Sequence, residues 1–315
     1  MTKLDESSII KIFQSKLGNK KFVSEDVEIF KLGKNKIVVK TDTLVESTDI
    51  PPKMKLEDAA RKSIVACVSD FAAKGIKPQY GIISINLPKT ISRSKIVEIA
   101  KGFKKACTEY NISIIGGDTN AGKEIVFNVC IFGNSSNIVS RKGSKKGDVI
   151  FVTGPFGNTS VGLNLLLGKS REKGKFAEKA IKSVVDPKPK LNFGLKNKRY
   201  FSSSMDSSDG LSTTLNEMAK QSKKKFVVDN IPADKDLEKY AKSHKFDLNN
   251  LVFHGGEEYE IIFTVPQKYI HVIKKNAKLL KTPILEIGYV TLGKGVFVKK
   301  KNSYVKLKDL GWKHF

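Results

Sequence analysis

The chain has 315 residues, enough for two core-bearing domains, and its 40% hydrophobic and 28% charged content is that of an ordinary globular protein in water. The net charge is +25, yet the lysines are spread thinly and no aromatic residues interleave with them, which argues against a nucleic-acid surface. The sequence shows no apolar run near the roughly 20 residues of a membrane span, no signal-peptide core in MTKLDESS, and neither metal-ligand spacing nor a disulfide framework in Cys67, Cys107 and Cys130, so a reducing cytoplasm is expected.

In chain order, Asp5 to Leu17 reads as an amphipathic helix with Ile9, Ile10, Phe13 and Leu17 on one face. Val27 to Phe30 and Lys36 to Val45 read as strands joined through LGKNK, and Pro51 and Pro52 interrupt the chain. Leu56 to Lys74 has Ala60, Ile64, Cys67, Val68 and Phe71 at helical spacing, with Gly75 as its stop. A strand from Tyr80 to Leu87, a helix from Ser92 to Tyr110 and strands at Ile112 to Ile115 and Glu124 to Phe132 follow. This order predicts an α/β layer on a mixed sheet.

Ser140 to Lys146 reads as a linker between domains. Beyond it come a strand (Asp148 to Thr153), the turn GPFGN, a helix (Thr159 to Leu167), a solvated lysine-rich helix up to Lys182 and a DPKPK loop. A helix is expected after Asp209, strands at Phe226 to Val228, Tyr259 to Val265, Ile284 to Val290 and Val296 to Lys299, and a helix at Gln267 to Lys278.

Aspartates recur at the ends of these apolar runs: Asp42, Asp70, Asp118, Asp148, Asp206 and Asp209. Carboxylates grouped this way in a basic chain suggest a hard cation such as Mg²⁺, which takes oxygen ligands and is often shared with substrate phosphates. Each fragment alone stays ambiguous. Asp42 also suits a turn, and Gly116-Gly117 before Asp118 suits either a turn or close approach of a phosphate. Asp70, among small apolar residues, is costly unless paired or coordinated. Asp206 and Asp209 before Leu211 suit a helix cap, or a cation and a phosphate together. No P-loop and no protein-kinase motif is present.

Taken in order, TDTLVE, VSDFAAKG with KPQY, IIGGDT, SRKGSKKGD, VTGPFGN, DSSDGL, HGGEEYEIIFTVP and the closing GWKHF resemble the thiamine-monophosphate kinase family of the PurM-like ATP-binding superfamily, from Asp26 to Phe315. The resemblance implies a two-domain fold, residues 1–139 and 140–315. The N-terminal α/β domain has a mixed sheet that pairs across a homodimer, and the C-terminal domain is α+β. It implies ATP-dependent phosphorylation of thiamine monophosphate, with neither nucleic acid nor membrane as partner. An aminoimidazole-ribonucleotide synthetase-like enzyme of the same superfamily is the alternative. By resemblance, Mg²⁺ falls on Asp26, Thr41, Asp42, Asp70, Asp118, Asp206 and Asp209. ATP falls on Tyr110, Gly117, Asp118, Arg141 and Ser208, and the thiamine substrate on Asp49, Glu257 and Trp312. Asp148 receives no ligand role and is left as a strand-start turn residue. The chain departs from the family pattern at Glu25, Asp49 and Glu258, and at Lys40, where a hydroxyl residue commonly supplies a metal oxygen and an ammonium cannot ligate a cation.

Overall fold

A computed structural model describes residues 5–18, 23–301 and 303–313; His314 and Phe315, which end the GWKHF motif, lie outside the described residues. The N-terminal half runs α1 (Glu6–Lys16), β1 (Glu28–Leu32), β2 (Asn35–Val45), α2 (Glu46–Asp49), α3 (Leu56–Lys74), β3 (Pro78–Pro88), α4 (Arg93–Tyr110), β4 (Ser113–Gly122) and β5 (Val126–Asn134). The C-terminal half runs β6 (Val149–Val152), α5 (Asn158–Leu166), α6 (Lys175–Val185), α7 (Leu191–Asn197), β7 (Ser203–Asp206), α8 (Leu211–Ser222), β8 (Lys225–Val228), α9 (Lys235–Ser243), α10 (Leu248–His254), β9 (Ile261–Val265), α11 (Ile270–Leu279), β10 (Leu285–Thr291), β11 (Gly295–Lys300) and β12 (Ser303–Lys306).

Two mixed sheets result. The first is ordered β1-β2-β5-β3-β4, with β3 and β4 parallel and the remaining pairs antiparallel. The second is ordered β12-β11-β8-β10-β6-β9-β7, with only β11 and β8 parallel. Helix α3 lies between them, against β2 and β5 on one side and β7 and β9 on the other, with α4 and α7 alongside. A helix covered on all sides needs small and apolar residues all round. From Ala59 to Lys74 every residue but Ala66 is buried. Gly75, in the left-handed region at φ 63°, ends the helix, and its N–H bonds back to Phe71 and Ala72. The bounds of α3 coincide with those expected from its periodicity. Among the described residues, no helix is long and apolar enough to cross a membrane.

The clearest correction concerns β4. The expected strand stopped at Ile115, with Gly116-Gly117 beyond it as either a turn or a place of close phosphate approach. Instead the strand continues through both glycines to Gly122. Gly117 pairs with Ile83 of β3, and a Cβ on Gly117 would sit 1.9 Å from the Ile83 carbonyl oxygen, so close backbone approach selects the glycine. A register shift between Gly81 and Ile82 accommodates the extra residue.

Other differences are smaller. Ser140 to Lys146 is no free linker, because the Ser140 hydroxyl donates to Glu25, Arg141 binds Asp26, and Ser144 is buried against Ser203. The lysine-rich α6 buries Ala177, Ala180 and Val184 rather than being wholly solvated. Strand β9 starts at Ile261, not Tyr259, which takes a left-handed φ of 53°. A single 3₁₀ turn, Gln267–Tyr269, precedes α11. Elements α2, α7, β7, α9, α10 and β12 were not expected. Asp148 accepts from the Lys145 N–H at 2.8 Å, as a turn residue before β6.

Candidate active site

Three carboxylates meet where the two sheets approach α3. Asp26 precedes β1, Asp70 lies in the last turns of α3, and Asp206 ends β7; all are buried, with one oxygen of each within 4.8 Å of the others. The segments arrive from distant parts of the chain. The strand pairing of β7 with β9 fixes Asp206 opposite Ile261. The Ser69 hydroxyl, adjacent to Asp70 on α3, donates to Asp206 at 2.9 Å.

Buried carboxylates at this spacing repel one another and must be compensated. Lys74 lies 2.9 Å from Glu25 and 3.0 Å from Asp26, and donates to the Ser204 carbonyl at 2.9 Å. The Arg141 guanidinium closes on the other Asp26 oxygen, with Nε and Nη2 each at 2.5 Å. Burial alone would raise the Asp26 pKa, but Lys74 and Arg141 hold it below the usual carboxylate range. Asp70 has Lys40 at 2.9 Å. Burial, and then the charge of Asp206, still push its pKa well above the ordinary value. Burial and the neighbouring Asp26 push Asp206 up to about 6. Burial would lower the Lys40 pKa, but Asp70, Asp42 and Asp206 together raise it. The Asp70 and Asp206 side of the centre is therefore short of positive charge. An all-oxygen, convergent donor set in this state fits a hard divalent cation.

The structure brings some of the other expected site residues to this centre and leaves others apart. In β2, Lys40 and Asp42 pair with Ile131 and Val129 of β5 and share the face turned to α3. Thr41 is on the opposite face, and its hydroxyl donates to the Val129 carbonyl at 3.1 Å. Gly117 and Asp118 lie on β4, a sheet edge exposed along its whole length, where the Asn120 amide donates to Asp118 at 2.9 Å. Arg141, expected on phosphates, is engaged by Asp26 and by Ser24, to which it donates at 2.9 Å. Tyr110, expected beside the nucleoside, is buried in the core, and its hydroxyl accepts from Arg61 at 3.4 Å. Arg61 also binds Glu109 at 2.8 Å and Asp186 at 3.2 Å, away from the three aspartates in sequence and along α3.

The remaining residues form a second cluster beside the first. The Glu257 N–H donates to the Ser208 carbonyl at 2.6 Å, and the Trp312 N–H donates to the Asp209 carbonyl at 3.0 Å. Glu257 takes a left-handed φ of 63°, and its carboxylate lies 2.5 Å from the ammonium of Lys62. Lys62 also donates to the Asp49 carbonyl at 3.3 Å, so one buried lysine joins Asp49 to Glu257. The Asp49 carboxylate itself turns inward, accepting from the Val45 N–H at 2.7 Å and the Thr48 hydroxyl at 3.0 Å. Trp312 is 54% exposed, so it is not a buried anchor for the C-terminal segment.

Sequence reasoning passed over Lys62, Ser69 and Lys74. All three are buried polar positions on α3, and the available signal was polarity in a helix whose other buried residues, apart from Arg61, Ser63 and Asp70, are small or apolar. That signal marks a buried polar group but not its partner, because Glu25, Asp206 and Glu257 are remote in sequence.

Comparison with known proteins gives the family of the chain. Residues 24–134 match the family model of the AIR synthase related protein, N-terminal domain. The thiamine-monophosphate kinase of Nitrosopumilus maritimus is 69% identical over all of both chains. That of Pyrococcus horikoshii is 33% identical, over 100% of this chain and 97% of its own. The solved structure of AaThiL complexed with AMPPCP and TMP superposes with a TM-score of 0.88 at 29% identity, covering 100% of this chain and 99% of that one. On this evidence from end to end, the chain belongs to the thiamine-monophosphate kinase family.

Proposed function

We propose that this protein transfers the γ-phosphoryl group of ATP to thiamine monophosphate, forming thiamine diphosphate and ADP, with Mg²⁺ as the metal. The observation that carries the proposal is the convergence of Asp26, Asp70 and Asp206 within 4.8 Å in a chain of this family. These three, with Asp42 on the adjoining face of β2, would hold the ions, which supply charge neutralisation between two phosphate-bearing substrates. The acceptor is itself a phosphate, so no hydroxyl needs a strong base, and the work of the protein is positioning. Glu257, fixed by Lys62, and the aromatic side chain of Trp312 would meet the thiamine substrate, whose thiazolium is cationic. Gly117 and Asp118 would meet the nucleotide from the edge of the first sheet.

The same reading includes a division near residue 140 and a homodimer. The first sheet lies within residues 28–134 and the second within residues 149–306, which supports the division. The face of the first sheet turned away from α3 exposes Tyr80 and Ile82, and the β4 edge exposes Ile114 and Ile115, the last at 66%. An open apolar edge of this kind is normally covered, and a second copy of the chain is the proposed cover. Three free cysteines suit the cytoplasm. Incubation with MgATP and thiamine monophosphate, followed chromatographically, is expected to yield thiamine diphosphate and ADP in equal amounts. ADP release without thiamine diphosphate would reject the assignment.

A further inference from the structure

We propose that the Lys40 ammonium is a resident cation: bonded to Asp70 at 2.9 Å, it holds a corner of the Asp26, Asp70 and Asp206 cluster that a divalent ion would otherwise take, and its removal opens a cation site there. The inference rests on reading the cluster as an ion centre.

The distribution of fixed charge carries the argument. Arg141 and Lys74, the latter shared with Glu25, both stand on Asp26, so that carboxylate has two cations on it. The Asp70 and Asp206 side has Lys40 and the Ser69 hydroxyl. Strand alternation puts Lys40 and Asp42 on one face of β2, so Asp42 adds a carboxylate near the same ammonium. The Lys40 side chain is 25% exposed, so its corner can be reached from solvent, unlike that of the fully buried Lys74. An ammonium donates hydrogen bonds and cannot bridge a carboxylate to a phosphate oxygen as a divalent ion does. Its charge, however, is present at any Mg²⁺ concentration. Lys40 thus stabilises Asp70 before any ion binds, at the expense of one ligand position.

The test is Mn²⁺ binding to the full-length protein, read from the electron paramagnetic resonance signal of free Mn²⁺ with and without a non-hydrolysable ATP analogue. Lys40→Ser and Lys40→Met are expected to bind one more Mn²⁺ per chain than wild type, and Lys40→Arg to bind the wild-type number. Thermal unfolding gives a second readout: Mg²⁺ should raise the melting temperature of Lys40→Met by more than that of wild type. Equal Mn²⁺ stoichiometry and equal Mg²⁺-induced shifts in all variants would overturn the resident-cation role while leaving the ion centre standing. Wild type that binds no Mn²⁺ even with the analogue would overturn the ion centre, and the role of Lys40 with it.

Discussion

The buried aspartate cluster and the β4 edge differ in almost every physical respect, although both were expected to serve one reaction. Asp26, Asp70 and Asp206 are enclosed between two sheets and a helix, with Lys40, Lys74 and Arg141 already on them. Asp118 stands on a strand exposed at all ten positions, with a side-chain amide of the same strand as its partner. Charges in the cluster are part of the fold, because a buried carboxylate without its cation is costly. Those on the edge are free of that duty. Substitution at the two places should therefore fail differently, in stability as well as chemistry at the cluster and in chemistry alone at the edge.

The largest effect is expected from Asp26→Ala. It removes the carboxylate that Lys74 and Arg141 share, leaving the Arg141 guanidinium without its acid, and should cost about 3–5 kcal/mol in urea unfolding. A loss below about 1 kcal/mol would break the claim that the cluster is structural. Asp118→Asn should lower turnover on the order of 10²-fold while leaving the melting temperature of the wild type, since the side chain is exposed. A matching loss of stability would erase the distinction between the regions.

The smallest expected effect sharpens the same comparison at a buried carboxylate that has no cation on it among the described residues. Burial raises the Glu258 pKa from 4.5 to about 7, against the hydrogen bond from Thr159. A raised carboxylate pKa favours the folded state while the group is protonated. This contribution is present below pH 4.5 and is lost as pH rises toward about 7. Glu258→Gln keeps the acceptor for Thr159 and removes the titration. The variant should hold its stability between pH 5 and pH 8 better than wild type, by about 2 kcal/mol. Parallel pH profiles for the two proteins would show that Glu258 is solvated in its ionised form.

Much of this was legible in the sequence where one periodicity dominates. Helix α3 could be bounded to the residue because proline and glycine flank a long apolar pattern. Strand β4 could not, because an exposed edge has no buried face to impose alternation, and two glycines mark the end of a strand as readily as its continuation until Ile83 is seen against Gly117. Helix α9 buries only Leu237, Tyr240 and Ala241, too little pattern over nine residues to stand out. In the site, the aspartates were visible as residue types at the ends of apolar runs. Their cations were not, because Lys74 to Asp26 and Lys62 to Glu257 are tertiary contacts with no sequence spacing to announce them. Thr41 shows the converse limit: its neighbour Asp42 faces α3, and alternation turns the Thr41 side chain away.

The central claim is that the enclosed aspartates are the ion-binding core. Anomalous scattering from crystals grown with Mn²⁺ and a non-hydrolysable ATP analogue tests it most directly. Mn²⁺ peaks bounded by Asp26, Asp70 and Asp206 are expected. Peaks confined to the exposed edge around Asp118, with the three buried carboxylates still held by Lys40, Lys74, Arg141 and the Ser69 hydroxyl, would contradict it.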